Sequence, residues 1–539
     1  MGAVPDHAKD SDAVVIGAGA AGGLAALLLA EAGLRVLVLD AGSARSPIGA
    51  FCRRLARSAV HRLLGPNTLQ MLDRRRQPIQ SLCHAWKNAP KAFVDDLRCP
   101  YVTPPDRPFV WLRARQLGGR MVIPGHGRLY FRMGPDDFAP TDGLSPAWPM
   151  EKGELVPWYE AVERRLGLAG AHDGLPWLPD SELSCVLSPT PSEAALQRAI
   201  VARWPGARPV LGRFAPPFKA LEAAAATGRL LIRQGAIARQ IEVDGSGRVS
   251  GVVWRDHRDL ADEHIRTPLV FLCASALEST RLLLLSRSLR SPGGLGAASG
   301  VLGRCLMDHV RIKASGMGPP LLEQTPAEQW RCLYLPRWDS RDAMAPGPGR
   351  GFAVQLYQRP ATGRQSRFSF TSFAEMLPRL ENRVTLDPTR QDAWDIPVLR
   401  IDCTHSHAEL ARACEQTAAL RALAKVAGVT LTQIDEAPAP PGSAMHECGT
   451  ARMGSDPTQS VLDPFNQCWE ARGLYVTDAA CFPSQGTQNP TLTILALTAR
   501  ACDHSIRQRA ATGQQVRKSM LTRDRRLSSP GDGNRPRNL

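Results

Sequence analysis

The sequence predicts an α/β fold on three observations. A glycine-rich turn, Gly17-Ala18-Gly19-Ala20-Ala21-Gly22, follows an apolar strand and opens a helix. An acid, Asp40, ends the next strand 18 residues after Gly22. Strand-like and helix-like stretches then alternate towards the C-terminus. In order, AVVI reads as a strand, Ala20 to about Ala32 as a helix, and RVLVL as a second strand ending at Asp40, which is a βαβ unit. Residues 50–101 are basic and irregular, and a glycine-rich patch, QLGGRMVIPGHGR, follows from Gln116. WYEAVERRL reads as a helix, and residues 229–254 read as a hairpin turning at Asp244-Gly245. LVFLCA reads as a strand entering the helix ALESTRLLLLS. The middle carries strand-like pieces and a helix near 407–427; the end carries the strand GLYVTD and a long helix from about Pro490.

Composition bounds the rest. A chain of 539 residues, 43% hydrophobic, is long enough for two sizeable cores. No apolar run approaches the roughly 18 residues that a membrane span needs. MGAVPDHAKDSD lacks a basic segment followed by an apolar one, so a cytoplasmic protein is expected, with export alongside a partner subunit left open. The net charge of +15 is spread along the chain, and its one basic cluster lies in residues 506–539, read as a solvated, disordered tail. No nucleic-acid partner is expected. The thirteen cysteines are scattered and odd in number, against a disulfide framework. No metal site is expected, His405 and His407 lacking matching carboxylates.

The glycine turn sits where a pyrophosphate binds. Its first glycine makes the turn, its second lets the backbone approach phosphate, and the helix N-terminus supplies partial positive charge. Asp40 stands where a carboxylate binds ribose hydroxyls and disfavours a 2′-phosphate. A Rossmann-like nucleotide site follows, with FAD and NAD both open at this point.

A second set of runs is more specific. His446-Glu447-Cys448-Gly449-Thr450-Ala451-Arg452-Met453-Gly454 precedes Ser460-Val461-Leu462-Asp463, then Leu474-Tyr475-Val476-Thr477-Asp478-Ala479 and Gln488-Asn489-Pro490-Thr491-Leu492-Thr493. With the N-terminal loop and Leu117-Gly118-Gly119-Arg120, the chain resembles the glucose–methanol–choline (GMC) oxidoreductases over roughly residues 11–505. It is closest in appearance to bacterial glucoside 3-dehydrogenases, through Pro100-Tyr101-Val102-Thr103-Pro104-Pro105, Trp148-Pro149 and Asn382-Arg383-Val384-Thr385-Leu386-Asp387.

The resemblance implies FAD and oxidation of a CH-OH group to a carbonyl by hydride transfer to flavin N5, on a sugar or glycoside. It places His446 at the catalytic base and Asn489 at the second catalytic position, where an amide orients the substrate oxygen. Implied cofactor contacts are Gly17, Gly19, Ala20, Ala21, Gly22, Asp40, Gly118, Gly119, Ile237, Asp478, Ala479, Asn489, Pro490 and Thr491. The helix opening near Pro490 would aim its N-terminal dipole at the reduced flavin. Ile123 stands where some relatives carry a flavin-linking histidine, so the FAD is expected to be non-covalent; His126 is nearby in the same patch. His309 reads as structural. Residues 186–228 contain no cysteine, against an iron–sulfur cluster. The electron acceptor is then oxygen, a quinone or a redox partner protein. Ser275 stands where relatives usually carry glycine.

The implied architecture is a Rossmann-like FAD domain from 11–48, 110–135, 225–312 and 441–505. An α+β substrate domain with an antiparallel sheet would come from 49–109, 136–224 and 313–440. The alternatives are a non-sugar alcohol substrate such as a natural-product intermediate, a non-redox lyase on the same fold, and a catalytically silent flavoprotein.

Overall fold

A computed structural model of the chain describes residues 11–42, 70–123, 129–139, 143–323, 331–338, 351–361 and 365–527. Five parallel strands form one sheet. Their spatial order is Leu474–Val476, Val270–Leu272, Ala13–Ile16, Val36–Asp40, Leu230–Gln234. We label the first two in the chain β1 (Ala13–Ile16) and β2 (Val36–Asp40). The register pairs Val14 with both Leu37 and Val270. All residues of β1 and β2 are buried, which is why they read as continuous apolar runs instead of alternating ones. Helix α1 (Ala20–Glu31) connects them and is buried along most of its length. β1 lies between β2, the next strand in the chain, and Val270–Leu272, a much later one, so the strand order reverses at β1 and the carboxyl edge of the sheet opens a crevice there.

The segment read as one hairpin divides. Leu230–Gln234 joins the parallel sheet beside β2, while Ala236–Val243 and Val249–Asp256 form the antiparallel pair that turns at Asp244. The split falls at Gly235, whose amide donates to the carbonyl of Gly42. The expected helices occur at Val156–Leu166, Ala276–Leu285 and His407–Val426. The last helix, Thr491–Leu527, runs into the segment expected as a tail, whose Ala, Gln, Arg, Lys and Met residues are good helix formers. Residues 528–539 lie outside the described residues.

A second, antiparallel sheet contains, in order, Thr430–Ile434, Val310–Gly318, Ser366–Ala374, Phe352–Pro360, Leu333–Trp338 and Val210–Leu211. Its two faces differ, as a period of two demands. Ile312, Ala314, Phe368, Phe370, Val354 and Leu356 are buried on one face. The helix His407–Val426 packs on that sheet, and its Gln416 donates to the carbonyl of Val310 (3.1 Å) and to Ser372 Oγ (2.8 Å). The opposite face is polar. Lys313, Thr371 and Gln355 share one cross-strand row; Tyr357 and Ser369 form the next, and Arg359 and Arg367 the one beyond.

The glycine turn depends on contact between backbones. A Cβ added to Gly22 would lie 1.8 Å from the carbonyl oxygen of Gly17, an atom that cannot move without reopening the turn. Gly22→Ala is therefore expected to destabilise the protein by about 1–3 kcal/mol, read as a lower urea midpoint. An unchanged midpoint would contradict this reading of the turn.

Candidate active site

A continuous cavity of about 920 Å³ joins the carboxyl edge of the parallel sheet to the polar face of the antiparallel one. At the first end it is lined by Gly17, Gly19, Ala20, Ala21, Asp40, Gly119, Ile237 and Ser275. At the other it is lined by His446, Asn489, Gln355, Thr371 and Phe373, with Asp478, Ala479, Pro490 and Thr491 also on its wall. Of the residues expected to contact the cofactor, Gly22 and Gly118 do not line it. Gly22 supports Gly17 from behind, and the amide of Gly118 donates to the carbonyl of Ala18 at 2.9 Å, tying the second glycine patch to the first. His126 lies outside the described residues.

The first end fits an FAD nucleotide. Gly19 caps α1 with no side-chain hydrogen bond, and a Cβ there would meet no atom within 4 Å, so the helix N-terminus opens onto free space. Asp40 accepts from the amides of Ala18 (3.1 Å) and Gly42 (2.8 Å), which aims its carboxylate along the edge of the sheet. Burial raises its pKa against those two bonds. Sequence reasoning missed Arg115 and Glu278, which also line this end and pair at 3.2 Å. Burial opposes ionisation of Glu278, but Arg115, Arg281 and Arg113 outweigh it and hold the carboxyl at about 2. Ser275 has φ 79° and ψ 145°, a conformation natural to glycine.

Asp478 lies at the middle of the wall, its carboxylate accepting from Ser279 Oγ and from the amide of Ala480 (3.0 Å). Burial pushes it up to about 6.

At the other end the loop carrying His446 is shaped by a buried carboxylate. Asp308 accepts from the amides of Gly442 (2.7 Å), Ala444 (3.1 Å) and His446 (2.9 Å). Burial, then the neighbouring Glu447, push Asp308 up to about 7. Arg120 ties the same loop to the glycine patch, donating to the carbonyl of Met445 (3.1 Å) and to Glu447 (3.2 Å). Met445 accordingly holds φ at 65°.

The hydrogen bonds of His446 assign its protons. His309 Nε2 lies 2.8 Å from the carbonyl of Gly486, which only accepts, so that nitrogen carries hydrogen. Burial pushes His309 down to about 4 and keeps it neutral, leaving its Nδ1 bare. His446 Nδ1 is 2.7 Å from that atom and must be the donor. Burial above all, then the neighbouring His309, Arg120 and His84 side chains, hold His446 well below its ordinary value, so it too is neutral and its Nε2 carries a lone pair. Asn489 Nδ2 is 3.1 Å from that lone pair, and Asn489 Oδ1 accepts from Gln355 Nε2 at 2.9 Å. Every bond in the series from Gln355 to Gly486 donates in one direction. The structure thus brings His446 and Asn489 together, and adds His309, Gln355 and Asp308, which no motif singled out for this purpose.

Comparisons with known proteins bear on the family and the cofactor. Residues 378–498 match a family profile described as GMC oxidoreductase, and residues 12–53 match one described as FAD binding domain. The paromamine 6'-oxidase of Streptomyces fradiae is 27% identical over 531 residues, covering 91% of this chain and 90% of that protein. The 2-methyl-1,2-propanediol dehydrogenase of Mycolicibacterium austroafricanum is 26% identical, over 93% of this chain and 96% of that protein. A C-glycoside 3-oxidase of Arthrobacter globiformis is 28% identical over 55% of each chain. Among solved structures, pyridoxine 4-oxidase from Mesorbium loti superposes with a TM-score of 0.60 at 18% identity, covering 92% of this chain and 99% of that one. That likeness speaks to the fold.

Relieving the backbone at position 275 should stabilise the protein. Ser275→Gly is expected to add about 1 kcal/mol, the lower end of the cost of such a conformation, in urea unfolding of the FAD-loaded protein. A loss of stability would show that the serine side chain makes a contact worth more than the strain.

Proposed function

The chain belongs to the GMC oxidoreductase family, and from that premise we propose that it oxidises a secondary or primary carbinol of a sugar or glycoside to a carbonyl, with His446 as base and Asn489 as orienting group. It is an FAD-dependent oxidoreductase acting on CH-OH donors. The activities named for the paromamine and C-glycoside oxidases are what favour a sugar-like substrate here.

One observation carries the reading: the unprotonated Nε2 of His446, facing the amide of Asn489 at 3.1 Å. A substrate hydroxyl entering between them donates its proton to Nε2, while its oxygen accepts from Asn489 Nδ2. Bound FAD supplies the acceptor for the hydride that leaves the carbinol carbon. The bond from Gln355 keeps the Asn489 amide turned towards the developing carbonyl oxygen. His309 is a positioning residue: its bare Nδ1 keeps the hydrogen of His446 on Nδ1, and so keeps Nε2 free. The residues that would hold FAD are the glycine turn with Asp40, the wall at Ile237 and Asp478–Ala479, and the helix N-terminus at Asn489, Pro490 and Thr491. Non-covalent binding is favoured by Ile123, a buried aliphatic side chain with no group to attack a flavin. On this reading the parallel sheet belongs to the FAD domain and the antiparallel sheet to the substrate domain. Reoxidation of bound FAD would require an electron acceptor, which this reading takes to be oxygen, a quinone or a redox protein. Among the described residues no helix is long and apolar enough to cross a membrane.

Three measurements test the assignment. His446→Ala should slow anaerobic flavin reduction by substrate about 10²–10⁴-fold with FAD content retained; a normal rate would remove His446 as base. His309→Phe should slow it while His309→Asn, which can accept from His446 and donate to Gly486, restores most of the rate. Equal loss in both variants would assign His309 a packing role only. Because His446 is held below its ordinary value, the reduction rate of the unsubstituted enzyme should hold constant from neutral pH to below about 6.5 before it falls. In His309→Phe the burial remains and the acceptor of the His446 Nδ1 hydrogen is lost, so the acid limb should not move up; a limb already above about 6.5 in the parent would contradict the burial argument.

A further inference from the structure

The polar face of the antiparallel sheet carries a sign of charge that the oxidation chemistry does not use. Lys313, Arg359 and Arg367 all line the substrate end of the cavity. The three lining carboxylates, Asp40, Glu278 and Asp478, belong to the nucleotide end or the flavin wall, and none is among the described residues at the substrate end. Lys313 is half-buried, with its pKa lowered by burial and then by the like charge of Arg311. The nearby Asp435 carboxylate accepts from the backbone amide of Lys313 (3.0 Å), and its charge partly offsets those effects on the Lys313 ammonium. Arg367 is directly opposite Arg359 across the strands, and like charges so placed repel. Arg359 extends over the ring of Tyr357, 5.8 Å from its centroid.

The strand geometry converts this into a distance. Gln355 is hydrogen-bonded to Asn489 and so marks the level of the reacting carbon. Arg359 lies four residues further along the same strand, about 13 Å away at strand rise. Arg367 stands at the same remove from Thr371, the neighbour of Gln355. Lys313 is two strands over from Gln355, about 10 Å at strand spacing. Between these positions the face offers Ser369, Thr371 and Tyr357, hydroxyls suited to a neutral sugar ring.

Resting on the oxidation reading above, we infer that the substrate is an anionic glycoside: a sugar whose aglycone or second ring carries a carboxylate, sulfate or phosphate about 10–13 Å from the oxidised carbinol, held by Lys313 and Arg367 with Arg359 beside them. A cationic sugar derivative meets like charge on the same face.

The test uses the FAD-loaded enzyme and three aryl β-glucosides that differ only at the para position: carboxylate, carboxamide and trimethylammonium. Calorimetry gives each Kd, and anaerobic bleaching of the flavin is read separately. The carboxylate should bind about tenfold more tightly than the carboxamide at low salt, the trimethylammonium compound more weakly than either. The advantage should vanish in the Lys313→Gln, Arg367→Gln double variant, with the carboxamide Kd unchanged. Equal binding of the carboxylate and carboxamide, or an advantage that survives the double substitution, would overturn the inference. Bleaching without a charge preference would leave the oxidation reading standing and remove this one. A charge preference lost in the double variant, without bleaching, would support this docking face and count against sugar oxidation.

Discussion

The position of one hydrogen governs the reacting end of this molecule. The carbonyl of Gly486 can only accept, so His309 must present its Nε2 hydrogen to it; His309 Nδ1 must then accept from His446, and His446 Nε2 is left bare in front of Asn489. A histidine in water exchanges freely between tautomers and protonation states near neutrality. Burial removes the protonated state from both rings, and the fixed carbonyl removes one tautomer from each. The base is set before any substrate arrives, which is the form of preorganisation that spares reorganisation during reaction.

That arrangement is held by long-range polar contacts whose loss would leave buried groups unpaired. Asp308 gathers three amides of the loop ending at His446, and the side chain of Gln485 donates to the His446 carbonyl at 2.8 Å. Glu375 accepts from the amide of Gln485 at 3.0 Å, which links the loop before Asn489 to the end of the antiparallel sheet. Each buried donor or acceptor left without a partner costs about 1–3 kcal/mol, so the loops at 441–446 and 485–489 are coupled to the two sheets that they join. The cavity between those sheets has glycine backbone and a helix N-terminus at one end, hydroxyls and cations at the other.

Legibility in the sequence followed locality. The turn at Gly17–Gly22 and the acid at Asp40 occupy a single βαβ unit, where spacing alone places strand, turn, helix and strand in order. His446 and Asn489 were found through runs characteristic of a family, and the structure sets them 3.1 Å apart across 43 residues of chain. His309 read as structural because its partner is 137 residues away and no local pattern announces a pair of histidines. Gln355, Arg115 and Glu278 were missed for the same reason. The polar face of the antiparallel sheet was hidden differently: its rows exist only once three strands are in register. The segment at 229–254 read as one hairpin because alternation does not show which neighbour a strand takes; Gly235 separates a parallel partner from an antiparallel one. Ser275 was legible as a departure, and the structure gives it a positive φ.

The most direct test of the account is the visible spectrum of the purified, FAD-loaded protein, recorded without oxygen before and after addition of a panel of glucosides bearing neutral and carboxylated aglycones. The account predicts that the oxidised flavin band bleaches and that one hydroxyl of the sugar is recovered as a carbonyl. A flavin band that stays unbleached with every glucoside, while a non-sugar alcohol bleaches it, would contradict the central claim.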